Sequence, residues 1–303
     1  MKMTGRVTDW LGGQPYLLLG GAALGWAGNT IASRLAIGRV SPMAIVSLRW
    51  LVVVLVLAVV VRGPLRTEWR RLLPHWRYIL AMGTLGFTIF NAIFYWSAHH
   101  TTAVNMGVLQ GVTPAIVMAI GFAAYRTPVG MMQAIGLLVT LVGVTVAASH
   151  GDLEILRHLA FNVGDIGIAL ASVLYAGYTV GLRGRPAVSP LVFFAAMAVA
   201  AFLSSLPLLA AEMTFGTIIW PTVGGWLLIL YIALVPSLLC QLLYMRGVEL
   251  IGPSRAGLFM NLVPILGPIL AIVVLGETFA PYHAAALLFV LGGLWLAEQR
   301  RPA

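Results

Sequence analysis

The feature that most limits what this chain can become is a series of ten apolar runs, each about as long as a bilayer is thick. They fall near residues 15–34, 41–61, 76–98, 102–124, 129–149, 163–182, 190–211, 225–245, 254–274 and 280–298. About 20 apolar residues in a helix cross the hydrocarbon core, and a helix satisfies its backbone polar groups internally there. Only 9% of the 303 residues are charged, against roughly 25% in a soluble domain. So few charges cannot cover a water-facing surface, but they suit a lipid-facing one. The chain reads as an all-α membrane protein with ten transmembrane helices. Its longest connections, 62–75 and 150–162, leave no room for a soluble domain.

The formal net charge is +9, with Lys2 the only lysine. The basic residues lie between apolar runs rather than on one patch or tail, which speaks for topology and against a nucleic-acid partner. With the N-terminus in the cytoplasm, that side receives Lys2, Arg6, Arg62, Arg66, Arg70, Arg71, Arg77, Arg126, Arg183, Arg185, Arg246, Arg255, Arg300 and Arg301. The opposite side receives only Arg34, Arg39 and Arg157, and Arg49 lies within a span. Positive residues stay in the cytoplasm, so both termini are expected there. No short apolar core with a cleavage site stands out, and the first run reads as an uncleaved helix. Cys240, the only cysteine, cannot form an intrachain disulfide and reads as a small buried residue.

The chain also repeats. Val40-Ser41-Pro42 recurs as Val188-Ser189-Pro190, 148 residues on. Trp26 and Asn29 align with Tyr175 and Tyr178, Asn91 with Gln241, Thr113-Pro114 with Val263-Pro264, and Gly143 with Gly293, at offsets of 149 or 150. A near-constant offset across five spans implies two five-helix repeats, 1–150 and 151–303. An odd number of spans per half inverts the second relative to the first. Inverted repeats are a recurrent plan of secondary transporters, with the substrate site near mid-membrane between the halves.

Several motifs in this order carry a family resemblance: Gly25-Trp26-Ala27-Gly28-Asn29, Leu48-Arg49-Trp50, Tyr95-Trp96-Ser97-Ala98-His99-His100-Thr101-Thr102-Ala103, Leu275-Gly276-Glu277 and Gly292-Gly293. The chain resembles the ten-span EamA-type branch of the drug/metabolite transporter superfamily, and within it the YddG-type aromatic amino-acid exporters. The resemblance covers essentially the whole chain. It implies a central cavity surrounded by spans one to four and six to nine, with spans five and ten at the flank. It also implies export of amino acids or related metabolites. One departure stands out: where the family has Gly-Glu between the fourth and fifth spans, this chain has Arg126-Thr127.

Polar side chains are costly in hydrocarbon and usually face the bundle interior. Helical spacing places Phe87, Asn91, Phe94, Tyr95 and Ala98 on one face, and Ser237, Gln241 and Tyr244 on another. Gly107, Gln110 and Pro114 share a third. The expected substrate-binding set is therefore Trp26, Asn29, Asn91, Tyr95, Gln110, Tyr175, Tyr178, Gln241 and Tyr244. Amides and phenols can bond the head of an amino acid, and aromatic faces can receive its tail or ammonium group. Plain interhelical packing is the competing account of the same residues. Pro114 and Pro264 are expected to kink their spans and to shape or gate the cavity. Gly21/Gly25, Gly107/Gly111 and Gly177/Gly181 are expected to let helices pack closely.

Arg49 has no obvious acidic partner. It can meet a substrate carboxylate, or it can snorkel or bond backbone carbonyls at a helix end, and the resemblance favours the structural role. No acid falls at mid-membrane by these boundaries. That favours a facilitator over a proton-coupled exporter of cationic drugs, the alternative, with His99 and His100 read as interfacial. No metalloprotease, nucleophile-elbow or phosphate-loop motif occurs, and no Cys/His cluster has metal spacing. No enzyme activity, cofactor or metal is therefore expected, and a lipid scramblase or membrane-embedded enzyme is a more distant reading. The expectation is an alternating-access exporter of aromatic and neutral amino acids, monomeric, in a bacterial inner membrane, with the lipid bilayer as its other partner.

Overall fold

The structure is a computed structural model and describes residues 13–126, 130–158, 161–251, 256 and 259–298. Every regular element among the described residues is helical. The chain runs through α1 (Pro15–Leu35), α2 (Pro42–Val60), α3 (Arg62–Ser97), α4 (Ala103–Tyr125), α5 (Met131–Ala148), α6 (Val163–Gly184), α7 (Pro190–Thr214), α8 (Val223–Ile251), α9 (Phe259–Leu275) and α10 (Pro281–Ala297). Seven of these, α2 to α8, are long and apolar enough to cross a membrane, and α9 and α10 are shorter apolar helices. The outward faces carry exposed Leu55, Val59, Leu138, Leu227 and Leu288, as a lipid-facing surface requires.

Helix starts follow the sequence closely. Pro15, Pro42 and Pro190 each sit in the first turn, where a missing N–H costs nothing. At three helix starts, free backbone N–H groups are met by carboxylates from elsewhere in the chain. Glu212, near the end of α7, accepts from Ser41 Oγ at 2.6 Å and from the N–H groups of Met43 and Ala44 at 3.3 and 3.2 Å. Glu277 accepts from Ala103 and Val104 N–H at 3.0 and 2.9 Å. Glu68 accepts from Ser189 N–H at 2.6 Å. A carboxylate at a helix N-terminus satisfies donors and opposes the positive dipole end. Gly276 has φ 67°, a conformation that favours glycine. It ends α9 so that Glu277 can turn onto α4.

The helices pair across the chain. α5 lies along α10, α2 along α7, and α4 crosses α9, while α1 packs on α8 and α3 on α6. Small residues set the close approaches. A methyl group on Gly136 would stand 2.4 Å from Gly293 O, and one on Gly107 would stand 2.7 Å from Pro268 Cδ. One on Gly25 would meet Cys240 Sγ at 2.2 Å, so the cysteine is buried by α1. Of the expected glycine pairs, Gly177 is different: nothing lies within 4 Å of a methyl group there.

Four helices depart from α geometry along their length. α3 widens into a π-helical segment over Thr84–Ile89, and α8 does so over Ala233–Leu239. α4 breaks at Gly111-Val112, so that Pro114 falls in the first turn of a renewed helix, Thr113–Tyr125. In α9 a 3₁₀ stretch, Phe259–Leu262, precedes Val263–Leu270, with Pro264 in its first turn. α9 ends in a further π segment, Ala271–Leu275. The connection 62–75 differs from expectation: it is helical, Arg62–Leu72 followed by a 3₁₀ turn Leu73–His75. Its Arg, Leu, Glu and Trp residues are adequate helix formers, and Pro64 lies in the first turn where it is tolerated. Thr127 and Arg255 lie outside the described residues.

Candidate functional site

Two ends of the bundle differ in charge. One end, the basic end, carries Arg62, Arg66, Arg70, Arg71, Arg77, Arg126, Arg183, Arg185 and Arg246. The other, the distal end, carries Arg34 and Arg39. They also differ in closure. Ile31, Ala103, Val104 and Ala271 form a buried cluster at the distal end. Glu277 lies 3.7 Å from Arg34 Nε, whose Nη1 donates to Ala98 O at 2.5 Å. These contacts tie α1, α4 and the end of α9 together. On the basic side of centre, Thr113, Pro114, Tyr175, Gln241 and Tyr244 are only half-buried.

Arg49 sits between the two regions, 5% exposed. Its Nε and Nη2 donate to Ser237 Oγ at 3.1 and 2.6 Å, and its Nη1 donates to Asn91 Oδ1 at 2.5 Å and Tyr95 Oη at 2.6 Å. Its guanidinium also stands 5.1 Å from the Trp50 ring centroid and 5.7 Å from that of Tyr95, within cation–π range. No carboxylate among the described residues pairs with it. The expected contacts to backbone carbonyls at a helix end are therefore replaced by neutral side chains in mid-helix. The reason is local: the π-helical turn of α8 lets Ser237 donate to Ile232 O at 2.5 Å, leaving its lone pairs for Arg49.

This arrangement fixes the polarity of its neighbours. Tyr95 accepts from Arg49, so its own proton goes to Asn29 Oδ1 at 2.8 Å. Asn29 then presents its Nδ2 donors away from Tyr95. Asn91, 3% exposed, spends its Nδ2 on Phe87 O. Asn91 and Tyr95 are thus held inside the Arg49 cluster, while Asn29 is half-buried beside it.

The remaining expected residues divide in two. Trp26 donates to Pro236 O at 2.9 Å and packs on Tyr244, ring centroids 5.4 Å apart. Tyr175 packs on Phe90 at 5.2 Å. The polar groups of Tyr175, Gln241 and Tyr244 make no hydrogen bond within the described residues and remain partly accessible. Gln110 is committed to Met106 O at 3.0 Å and reaches Thr30 Oγ1 at 3.4 Å. Tyr178 is buried against Phe87 and beneath Gly86, so it fills the α3–α6 contact.

A second polar cluster was not singled out by the sequence. Asp165, 2% exposed, accepts from Thr101 Oγ1 and from Asn105 Nδ2 at 3.0 Å, with His150 Nε2 at 3.3 Å. It lies at the distal end, in the first turn of α6. Position near a span end hid it, because burial there depends on the neighbouring turns. Nearby His99 lies in the α3–α4 turn, and burial, with His100 and Arg34 adding to it, lowers the pKa of its imidazole below the usual value.

Among the described residues, an all-helical bundle with apolar outer faces and half-buried polar groups between its helices defines a multi-pass membrane protein. Residues 14–149 and again 162–298 match the EamA-like transporter family, and the chain belongs to that family. It is 24% identical over 294 residues to the uncharacterized transporter YyaM of Bacillus subtilis, covering 92% of each chain. It is 25% identical over 230 residues to the uncharacterized inner membrane transporter YicL of Salmonella typhimurium, covering 74% of each. A solved crystal structure with 18% identity has the same fold, with TM-score 0.65 over 94% of this chain and 96% of that one.

Proposed function

We propose that the protein is a ten-span exporter of aromatic and neutral amino acids that works by alternating access, built from two inverted repeats, 1–150 and 151–303. The helix pairing supports the repeat. A two-fold axis exchanging the halves would carry α2–α7, α4–α9 and α5–α10 onto themselves and α1–α8 onto α3–α6, which is the observed set. The paired π-helical segments and paired breaks before Pro114 and Pro264 support it too. The basic end faces the cytoplasm of a bacterium, and both termini lie there.

The observation that carries the substrate reading is the meeting of three features. Half-buried Asn29 keeps its Nδ2 donors clear of Tyr95; Tyr175, Gln241 and Tyr244 keep free hydroxyl and amide groups; and Trp26 and Tyr244 supply ring faces. Donors suit a carboxylate, acceptors and ring faces suit an ammonium group, and rings suit an apolar tail. The test is uptake of labelled amino acids into liposomes holding the purified protein. Flux above empty liposomes, lost in Gln241→Ala and Tyr244→Ala, is expected. Flux equal to empty liposomes across the common amino acids would sink the proposal.

Proton-coupled export of cationic drugs is the second reading, and one observation favours it. Asp165 is a buried carboxylate in contact with His150, a pair able to hold and release a proton. Flux driven by an imposed pH gradient, and abolished in Asp165→Asn, separates this from a facilitator.

A further inference from the structure

The helical segment Arg62–Leu72 at the start of α3 is the most strongly charged feature away from the centre. It carries Arg62, Arg66, Arg70 and Arg71, and Arg77 follows within two turns. All five side chains are exposed, and none pairs with a carboxylate among the described residues. The single acid of the segment, Glu68, is spent on Ser189 N–H at the start of α7. Five guanidinium groups therefore stand at the edge of the bundle without an internal counter-charge.

The same segment opens onto an apolar groove. A cavity of about 350 Å³ lies between α3 and α7, lined by Leu72, Trp76, Ile79, Leu80, Val199 and Leu203 among others. The Arg77 guanidinium stands 5.4 Å from the centroid of Trp76, so a cation sits on a ring that forms the groove wall. Next along the segment, a cavity of about 400 Å³ is lined by Arg62, Leu65, Arg66 and Trp69. Arg70 stands over Trp69 at 5.6 Å in the same way. Tryptophan settles at the headgroup level of a bilayer, which puts the arginines at phosphate depth and the groove among the acyl chains.

We infer that α3 and α7 hold one anionic phospholipid, an acyl chain in the groove between Leu72 and Leu203 and the headgroup against Arg66, Arg70 and Arg77. A zwitterionic lipid fits the groove equally well but leaves the arginines without net counter-charge. Each basic residue near an anionic membrane surface contributes about 1 kcal/mol, roughly a fivefold gain in binding. The groove fixes the lipid in place, and the arginines choose its headgroup. The inference does not depend on what the carrier moves.

Native mass spectrometry on the full-length protein, titrated with phosphatidylglycerol and with phosphatidylcholine of identical chains, tests it. Phosphatidylglycerol should bind at least about tenfold more tightly. The triple variant Arg66→Gln, Arg70→Gln, Arg77→Gln should remove that preference and leave phosphatidylcholine binding unchanged. Val199→Trp, at an exposed groove position, should weaken both lipids. Circular dichroism shows that each variant is folded. Equal affinity for the two lipids, a preference that survives the triple variant, or full binding in Val199→Trp would each overturn the inference.

Discussion

Arg49 sets the direction of every hydrogen bond around it. A guanidinium only donates, so Ser237, Asn91 and Tyr95 must present acceptors, and the Tyr95 proton is passed to Asn29. Asn29→Asp keeps the acceptor that Tyr95 needs but removes the Nδ2 donors and adds a negative charge. Its KM for amino acids in liposome flux should rise at least about tenfold, the worth of one hydrogen bond to a charged group, while the melting temperature in detergent holds. Ser237→Ala leaves two Arg49 N–H groups without an acceptor, and an unmet buried donor costs about 1–3 kcal/mol. Thermal unfolding should report that loss directly, and Arg49→Lys in the otherwise unchanged chain should also lower the midpoint, because a single ammonium cannot serve Ser237, Asn91 and Tyr95 at once. Asn29, Asn91, Tyr95 and Gln241 were legible in the sequence because amides and phenols stand out in apolar runs at helical spacing. Their division of labour was not. Asn91 and Tyr95 are drawn into the core by a residue 42 and 46 positions away, and Tyr178 is buried by the absence of a side chain at Gly86. Neither contact has a sequence signal.

At the scale of elements, the three acids that cap helices explain what charged residues do in so apolar a chain. Glu277→Gln should lose about 1 kcal/mol through the weaker cap on α4. Hydrogen exchange at the amides of Ala103 and Val104 should quicken, with no change at Met43 and Ala44, which Glu212 serves. Glu249→Gln is the control, because its pair with Arg246 is exposed on both sides and such pairs contribute little. Glycines divide just as sharply. Gly107→Ala forces a methyl group against Pro268 and should cost about 1–3 kcal/mol, whereas Gly177→Ala meets nothing within 4 Å and should be neutral or slightly stabilising. Unfolding midpoints of the two variants, measured side by side, check this. Apolar length located the helices to within a few residues, because the bilayer fixes how long a span must be. It failed over 62–75, where a charged helix lies outside the hydrocarbon and hydropathy has nothing to detect. It also could not foresee the π-helical turns, which arise from packing and leave no mark in the apolar pattern.

For the whole molecule, charge and closure point the same way. The arginines crowd one end, and the side chains at the centre are half-buried toward that same end, while the distal end is sealed by Ile31, Ala103, Val104 and Ala271 and tied by Arg34 and Glu277. If the positive end is cytoplasmic, the proposed export requires that the half-buried central side chains be reached from inside the cell. The molecule offers a direct check, because Cys240 is buried and should give no background with a membrane-impermeant maleimide. Single cysteines at three positions then divide the possibilities. Thr217→Cys, in the exposed turn after α7 at the distal end, should label in intact cells. His75→Cys, in the exposed turn between Arg62–Leu72 and the rest of α3, should label only in inside-out vesicles. Gln241→Cys reports on the centre: with no substrate present it should label from the vesicle side and not from outside. Labelling of position 75 in intact cells would reverse the orientation, and labelling of position 241 from outside alone would place the opening at the wrong end of the bundle. Under the proposed function, addition of a transported amino acid should slow the reaction at position 241 and leave positions 75 and 217 unchanged, since of the three only Gln241 belongs to the proposed binding set.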